Sequence, residues 1–210
     1  MAKTAFGAIV SGSQIWRQRH LTEPVPLTWT SAALGGCLAE LSGTGMAPLL
    51  TAAFSLAVQV QQQNEPVAWI TSSADIFFPP DVAKGGIDLG ALPVIRLETH
   101  QQCLKAAEQI ARSGAFGLLV IDLGRWSTLS MSVQSRLAEQ AMKHGTLILC
   151  LTTKTDQQPS LGSLVSIRGQ AQRVRHKHGL FSYEVRVLKD KRRGPGWSVQ
   201  EWCCGPDGMR

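Results

Sequence analysis

"GTGMAPLL", residues 43–50, stands between a short apolar stretch, "CLAEL" (37–41), and a long apolar run, "TAAFSLAVQV" (51–60). Strand, glycine-bearing turn and helix is the layout of a phosphate-binding P-loop. A working P-loop ends in Gly-Lys-Ser/Thr: backbone N–H groups cradle the phosphates, the lysine spans them and the hydroxyl reaches Mg²⁺. Gly43 and Gly45 are in place, but the last three positions are Pro48, Leu49 and Leu50. Pro48 removes a backbone donor, and two leucines would face a polyanion. A single lost charge-assisted contact costs roughly 1.5–3 kcal/mol, and here the whole set is gone. Thr51 comes one residue late for the metal. The reading expects no nucleotide cofactor at this site and no hydrolysis, so not an enzyme.

Outward from this loop the chain alternates. Leu49 to Gln62 reads as a buried helix with a polar end. "PVAWIT" (66–71), "PVIRLE" (93–98), "FGLLVIDLG" (116–124) and "TLILCLT" (146–152) read as short apolar strands. "THQQCLKAAEQIARSG" (99–114) and "SMSVQSRLAEQAMKHG" (130–145) read as amphipathic helices, with Thr99 as an N-cap and Gly114 and Gly145 as stops. "FFPPDVAKGGIDLGAL" (77–92) is a turn, a short helix and a turn. Wholly apolar strands alternating with helices mark a parallel sheet covered on both faces. From about residue 164 the pattern becomes apolar–polar alternation around His178-Gly179, an antiparallel hairpin. Residues 1–30, with two prolines and isolated tryptophans, read as an arm or cap on a core domain spanning 31–210.

A chain of 210 residues, 44% hydrophobic and 17% charged, is globular in composition. The 49–62 helix is too short to cross a bilayer and no signal segment is evident in "MAKTAFGAIVSGSQIW" (1–16), which leads to the expectation of a cytoplasmic protein with no membrane role. Five cysteines, without CxxC spacing, fit a reducing compartment; the Cys203-Cys204 pair reads as apolar filling. Residues 168–193 hold nine Lys and Arg against two acids, a surplus of seven, while the chain's net charge is +6, so the remainder is close to neutral at −1. Such a segment is either a surface for an anion, nucleic acid foremost, or a solvated strand face. Its candidates are Arg173, Arg175, Lys177, Lys189, Lys191, Arg192 and Arg193. His176 and His178 flank Lys177 without an acid or thiol spaced to share a metal, so no metal site is expected.

The order of these segments resembles the ATPase core of RecA. "ELSGTGMAPLLT" (40–51) falls on that family's strand and P-loop, and "LLVIDLG" (118–124) on its Walker B strand, with Asp122 at the Walker aspartate. "VRVLKDKRRGPGW" (185–197) resembles its late strand and turn, and Lys189 and Lys191 match two lysines that there reach toward a neighbour's ATP. A narrower family is also similar: ImuA, the RecA-like partner in the bacterial ImuA–ImuB mutagenesis cassette. The resemblance is carried by "IWRQRHL" (15–21), "VAWITSSADIFFPPDVAKGGIDLGALPVIR" (67–96), "AAEQIARSGAFGLLVID" (106–122) and "QPSLGSLVSIR" (158–168). Many members carry a Gly-Gly-Gly-Trp-Pro turn where this chain has only "ALGGC" (33–37).

The resemblance implies an α/β fold: a RecA-like, mostly parallel central sheet flanked by helices, with an antiparallel C-terminal hairpin at its edge. It also exposes what is missing. The glutamate that positions water in RecA is matched by Ser73 or its neighbour, and Asp75 is the nearest carboxylate. Asp122 is expected to cap a turn rather than to hold Mg²⁺. "RWSTLS" (125–130) leaves no room for the first DNA-contacting loop, and "KTDQQPSLGS" (154–163) is a short counterpart of the second. The implied role is that of a non-catalytic accessory protein of the DNA-damage (SOS) response. It would act in translesion synthesis through ImuB, an error-prone polymerase complex and RecA itself, at the nucleoid, with the basic residues on DNA or an acidic partner. Two other classes fit the same fold: a cell-division inhibitor of the SulA type, and an ATPase with an unorthodox site.

Overall fold

The computed structural model describes residues 28–72, 77, 79–126, 128–175 and 181–203. Asp75, Lys177, His176, His178, Cys204 and the first 27 residues lie outside that set. Fourteen elements follow in order: α1 (Ser31–Leu34), β1 (Leu38–Gly43), α2 (Met46–Gln61), β2 (Val67–Thr71), α3 (Pro79–Lys84), a 3₁₀ turn (Leu89–Ala91), β3 (Val94–Arg96), α4 (His100–Ser113), β4 (Leu118–Gly124), α5 (Met131–His144), β5 (Leu147–Thr153), β6 (Ile167–Arg175), β7 (Phe181–Asp190) and β8 (Ser198–Cys203).

The strands form one eight-stranded sheet in the order β3-β2-β4-β5-β1-β6-β7-β8. Every pairing from β3 to β6 is parallel; β7 and β8 add antiparallel strands at one edge. This is the α/β architecture expected. The two-residue period of a strand sends alternate side chains to opposite faces, and both faces are apolar. Leu41, Trp69, Val120 and Leu149 meet Leu49, Ala53, Leu56 and Val60 of α2 on one face. Leu38, Ile70, Ile121 and Ile148 meet Cys103 and Ala107 of α4 and Leu137 and Ala141 of α5 on the other. Under α2, Trp69 stacks on Phe54 at 5.0 Å between centroids, and Phe77 meets both rings edge-on.

Local signals hold the elements in place. Thr99 caps α4 in a full capping box with Gln102, and Gly114 (φ +64°) and Gly145 (φ +71°) stop α4 and α5 in the left-handed conformation that L side chains disfavour. Ser130 caps α5 through the Val133 N–H. Trp29 is buried in the α2-side core and Thr30 caps α1, so the last residues of the expected arm pack with the domain. One strand goes beyond the sequence reading: β8 continues the sheet after the turn at 191–197.

The β5-to-β6 crossover has no helix. Residues 154–166 run as a loop over β1 on the α4/α5 face, and Leu161 and Val165 join that core.

Candidate functional site

The P-loop region departs from a phosphate cradle in its backbone as well as its side chains. β1 ends at Gly43, and α2 begins at Met46, so only Thr44 and Gly45 separate strand from helix. The sequence reading started this helix at Leu49; the structure starts it earlier, because Pro48 sits in the first helical turn. A proline is tolerated there, since the first four N–H groups of a helix have no intrahelical acceptor. Gly45, the N-cap residue, makes no side-chain cap bond.

Leu49, at the lysine position, is fully buried and turned back over the end of β1. A Cβ built on Gly43 would meet Leu49 Cγ at 3.2 Å, Leu49 Cδ2 at 3.3 Å and the Ala171 carbonyl oxygen at 3.0 Å. Apolar atoms therefore pack directly on the first glycine of the motif. Leu50 is half-buried against the same core.

Asp122 is buried at the end of β4, opposite Thr71 of β2. Its Oδ2 accepts from the Thr71 hydroxyl at 3.2 Å and its Oδ1 from the Gly124 N–H at 3.2 Å. Burial pushes its carboxyl pKa up, against the opposing pull of those two donors and of the nearby His100. The sheet register slips between Asp122 and Gly124, whose φ of +53° turns the chain. Asp122 is thus tied to its own turn. His100 lies beside it, with Nε2 at 3.1 Å from the Leu123 carbonyl and its ring 4.8 Å from Trp126. No group of three or more His, Cys, Asp or Glu side chains among the described residues is placed to hold a metal ion.

The basic candidates do not form one patch. β6 runs parallel to β1, so Arg173 and Arg175 lie at the P-loop end of the sheet. Lys189, Lys191, Arg192 and Arg193 lie at the other end, where Arg168 pairs with Lys189. At 3.4 Å per residue, Arg175 is about 24 Å from the Arg168 level. Arg173 is exposed on the face shared with Gly169 and Ala171. The side chain of Arg175 is outside the described set.

The second group is ordered by Asp190. Its Oδ1 accepts from the N–H of Arg192 (2.8 Å) and of Arg193 (3.0 Å), and its Oδ2 from Arg193 Nε (2.7 Å). Burial opposes the charge on Asp190, but these donors hold its carboxyl below the usual range. The Arg193 guanidinium also lies 4.6 Å over the Trp197 ring and reaches the Thr28 carbonyl. Lys189 Nζ donates to the Gly162 (2.9 Å) and Ser163 (3.3 Å) carbonyls, and burial, with the charge of Lys191, lowers its pKa. Lys191 and Arg192 are exposed.

One polar cluster was not anticipated. Glu40, in the middle of β1, is fully buried. Its Oε1 accepts from Thr152 (2.9 Å) and Lys154 Nζ (3.1 Å), its Oε2 from the Ser160 hydroxyl (2.8 Å) and the Leu161 N–H (2.8 Å). Beside it, buried Arg168 donates to Ser42 Oγ (3.0 Å) and to the carbonyls of Thr155 and Gln158. The 154–166 loop is thereby fastened across β1, and Lys154, the loop's basic residue, points into the protein. The signal was an acid inside the apolar stretch "CLAEL" (37–41), since a buried carboxylate needs a buried cation and donors.

No protein-family model matches the chain. Curated relatives do. It is 28% identical over 119 residues to Protein RecA of Chlorobium chlorochromatii, covering 51% of this chain and 33% of that protein. It is 29% identical over 126 residues to Protein RecA of Treponema denticola (54% and 30%), and 31% over 120 residues to that of Corynebacterium efficiens (51% and 31%). The chain thus matches about a third of the length of these relatives. Sheet, helix placement and similarity together define an α/β protein with a RecA-like core. The similarity is to RecA proteins, over about half of this chain. No described helix is long and apolar enough to cross a membrane.

Proposed function

We propose that this chain is a non-catalytic RecA-like accessory protein of the DNA-damage response. It would work in induced mutagenesis with ImuB and an error-prone polymerase, or restrain RecA by presenting a RecA-like face. The observation that carries the reading is the packing of buried Leu49, at the lysine position of the motif, against Gly43, its first glycine. A RecA-like core that bound no phosphate would act through its surfaces, by binding partners. The Asp122 carboxylate, bonded to Thr71 and Gly124, supports the same reading.

The test has two arms. A fluorescent ATP analogue with Mg²⁺ is titrated into the protein, and the protein is offered ATP-loaded RecA filaments, ImuB and single-stranded DNA in moderate salt. The expected result is no nucleotide binding, with capture on RecA or ImuB. Saturable nucleotide binding with hydrolysis that is lost in Asp122→Ala would establish an ATPase and overturn the proposal.

A further inference from the structure

The two edges of the sheet differ. β3, at one edge, has three residues, follows Pro93 and carries an exposed Arg96, all features that blunt an edge against pairing. β8, at the other, has six residues without a proline, lysine or arginine, and among the described residues no strand lies beyond it. Its register with β7 fixes its two faces. Val199 and Glu201 lie opposite Val185 and Tyr183 on the α2 face, where the Glu201 carboxylate accepts from the Tyr183 hydroxyl and from Ser55 Oγ (3.0 Å). Ser198, Gln200 and Trp202 lie opposite Arg186, Glu184 and Ser182 on the other face. All three are exposed, Trp202 to 67%. The one charge of the strand is thus turned into its own domain, and the outer face is uncharged. Such an edge is a template for pairing with another strand.

β8 is complementary to a copy of itself. Two such edges paired antiparallel are related by a twofold axis normal to the sheet, and residues opposite each other must share a face. The axis therefore passes through a residue, not between two. Only Gln200 and Glu201 are central enough to let most of the strand overlap. An axis through Glu201 would set two carboxylates directly opposite, which is unfavourable. An axis through Gln200 sets Gln200 against Gln200, and Ser198 against Trp202 of the second copy. Arg186 lies in the same row, on the far side of Ser198. It is two strand spacings, about 10 Å, from that tryptophan. Ser198 is small enough for the guanidinium to reach over it to the indole face, a cation–π contact made twice by symmetry. Arg186 is exposed and steadied by Asp156 at 2.6 Å. The two Glu184 side chains stay three strand spacings apart, about 14 Å, beyond the screening length of about 8 Å. A strand of another protein would gain the same backbone bonds without the match of Arg186 to Trp202.

We infer that the chain pairs with a second copy of itself through β8, antiparallel about Gln200, joining two eight-stranded sheets into one. The contact is one strand wide, so the dimer is of the weak, concentration-dependent kind. It stands apart from the accessory-protein reading, which a monomer would leave as it is.

The test is sedimentation velocity of the full chain from about 1 μM to about 500 μM, a range that spans weak association. We expect a shift from monomer to dimer and no larger species. Gln200→Lys, which sets two ammonium groups opposite each other, should weaken the dimer at least about tenfold. Trp202→Ser and Arg186→Gln should each cost about threefold. The double variant should cost no more than either alone, because both remove one contact. Arg96→Glu, on the other edge, should change nothing. All four substituted side chains are exposed, and an unchanged melting temperature checks the fold of each variant. The register is read by oxidation in a Cys203→Ser/Cys204→Ser background, where Gln200→Cys should give a disulfide-linked dimer and Ser198→Cys should not. A monomer throughout the range overturns the pairing, as do open-ended association, a dimer indifferent to Gln200→Lys, a dimer lost in Arg96→Glu, or crosslinking through Ser198→Cys in place of Gln200→Cys.

Discussion

Lys154 and Glu40 meet at 3.1 Å with side chains 1% and 0% exposed, an ion pair wholly inside the protein. Removing one member leaves the other charged, buried and uncompensated, a loss typically of about 3–5 kcal/mol. Lys154→Met and Glu40→Leu should each destabilise by about that amount in urea denaturation. The double variant should recover much of the loss, because two well-packed apolar residues carry no stranded charge. Additive losses would show that each residue acts mainly through its other partners.

Leu49→Lys restores the P-loop lysine on paper. The ammonium would enter the core where Leu49 packs on Gly43, and it would also lose a buried leucine, a loss of about 2–5 kcal/mol for Leu→Ala alone. We expect a lower melting temperature and no binding of a fluorescent ATP analogue. Gly43→Ala should also destabilise, since its methyl would lie 3.0 Å from the Ala171 carbonyl oxygen.

Arg192 and Arg193 are neighbours with opposite duties. Arg193→Ala removes the Asp190 pair and the Trp197 contact and should cost about 1–3 kcal/mol. Arg192→Ala, on an exposed side chain, should change stability by less than about 0.5 kcal/mol. Asp190 ionises lower in the fold than its ordinary value of 3.8. Its contribution is therefore present above 3.8 and lost as pH falls through the folded value. Melting curves between pH 5 and pH 2 should lose part of their acid sensitivity in Asp190→Asn.

Asp122 has the opposite sign. It ionises near 3.8 in the unfolded chain and higher in the fold, so its contribution is present at low pH and lost as pH rises through the folded value. At pH 7 the charged, buried form costs stability. Asp122→Asn should keep or raise the melting temperature at neutral pH and remove the gain seen on mild acidification. A sharp loss at pH 7 would mean that both oxygens are needed as acceptors.

Much of the fold was legible because local and tertiary signals agree. Thr99 and Gly114 were readable as the ends of α4, and the structure gives them a capping box and a left-handed stop. The wholly apolar strands forecast a sheet buried on both faces. Other features escaped for physical reasons. The start of α2 was placed late because Pro48 resembles a breaker, while the first helical turn accepts it. β8 was missed because Glu201 interrupts its apolar positions; that carboxylate faces inward and accepts from Tyr183 and Ser55. Pro48, Leu49 and Leu50 were readable as departures from the P-loop ending, and the structure buries Leu49 against Gly43. The division of the basic residues was not, because neighbours in sequence on a long hairpin lie at opposite ends of a strand.

The placement of β1 has a consequence for how the chain becomes folded. Its two neighbours are β5 and β6, and Leu38 pairs with Ile148, about 110 residues later. Closing so long a loop must precede any reward from the pairing, and such non-local contacts slow folding. During synthesis β1 leaves the ribosome before β5 and β6 and must wait for them before either edge is covered. An exposed apolar strand in that interval is an aggregation hazard. Glu40 in its centre, later neutralised by Lys154, keeps a charge on the strand throughout the wait, so the residue that fastens the finished fold also guards the unfinished one.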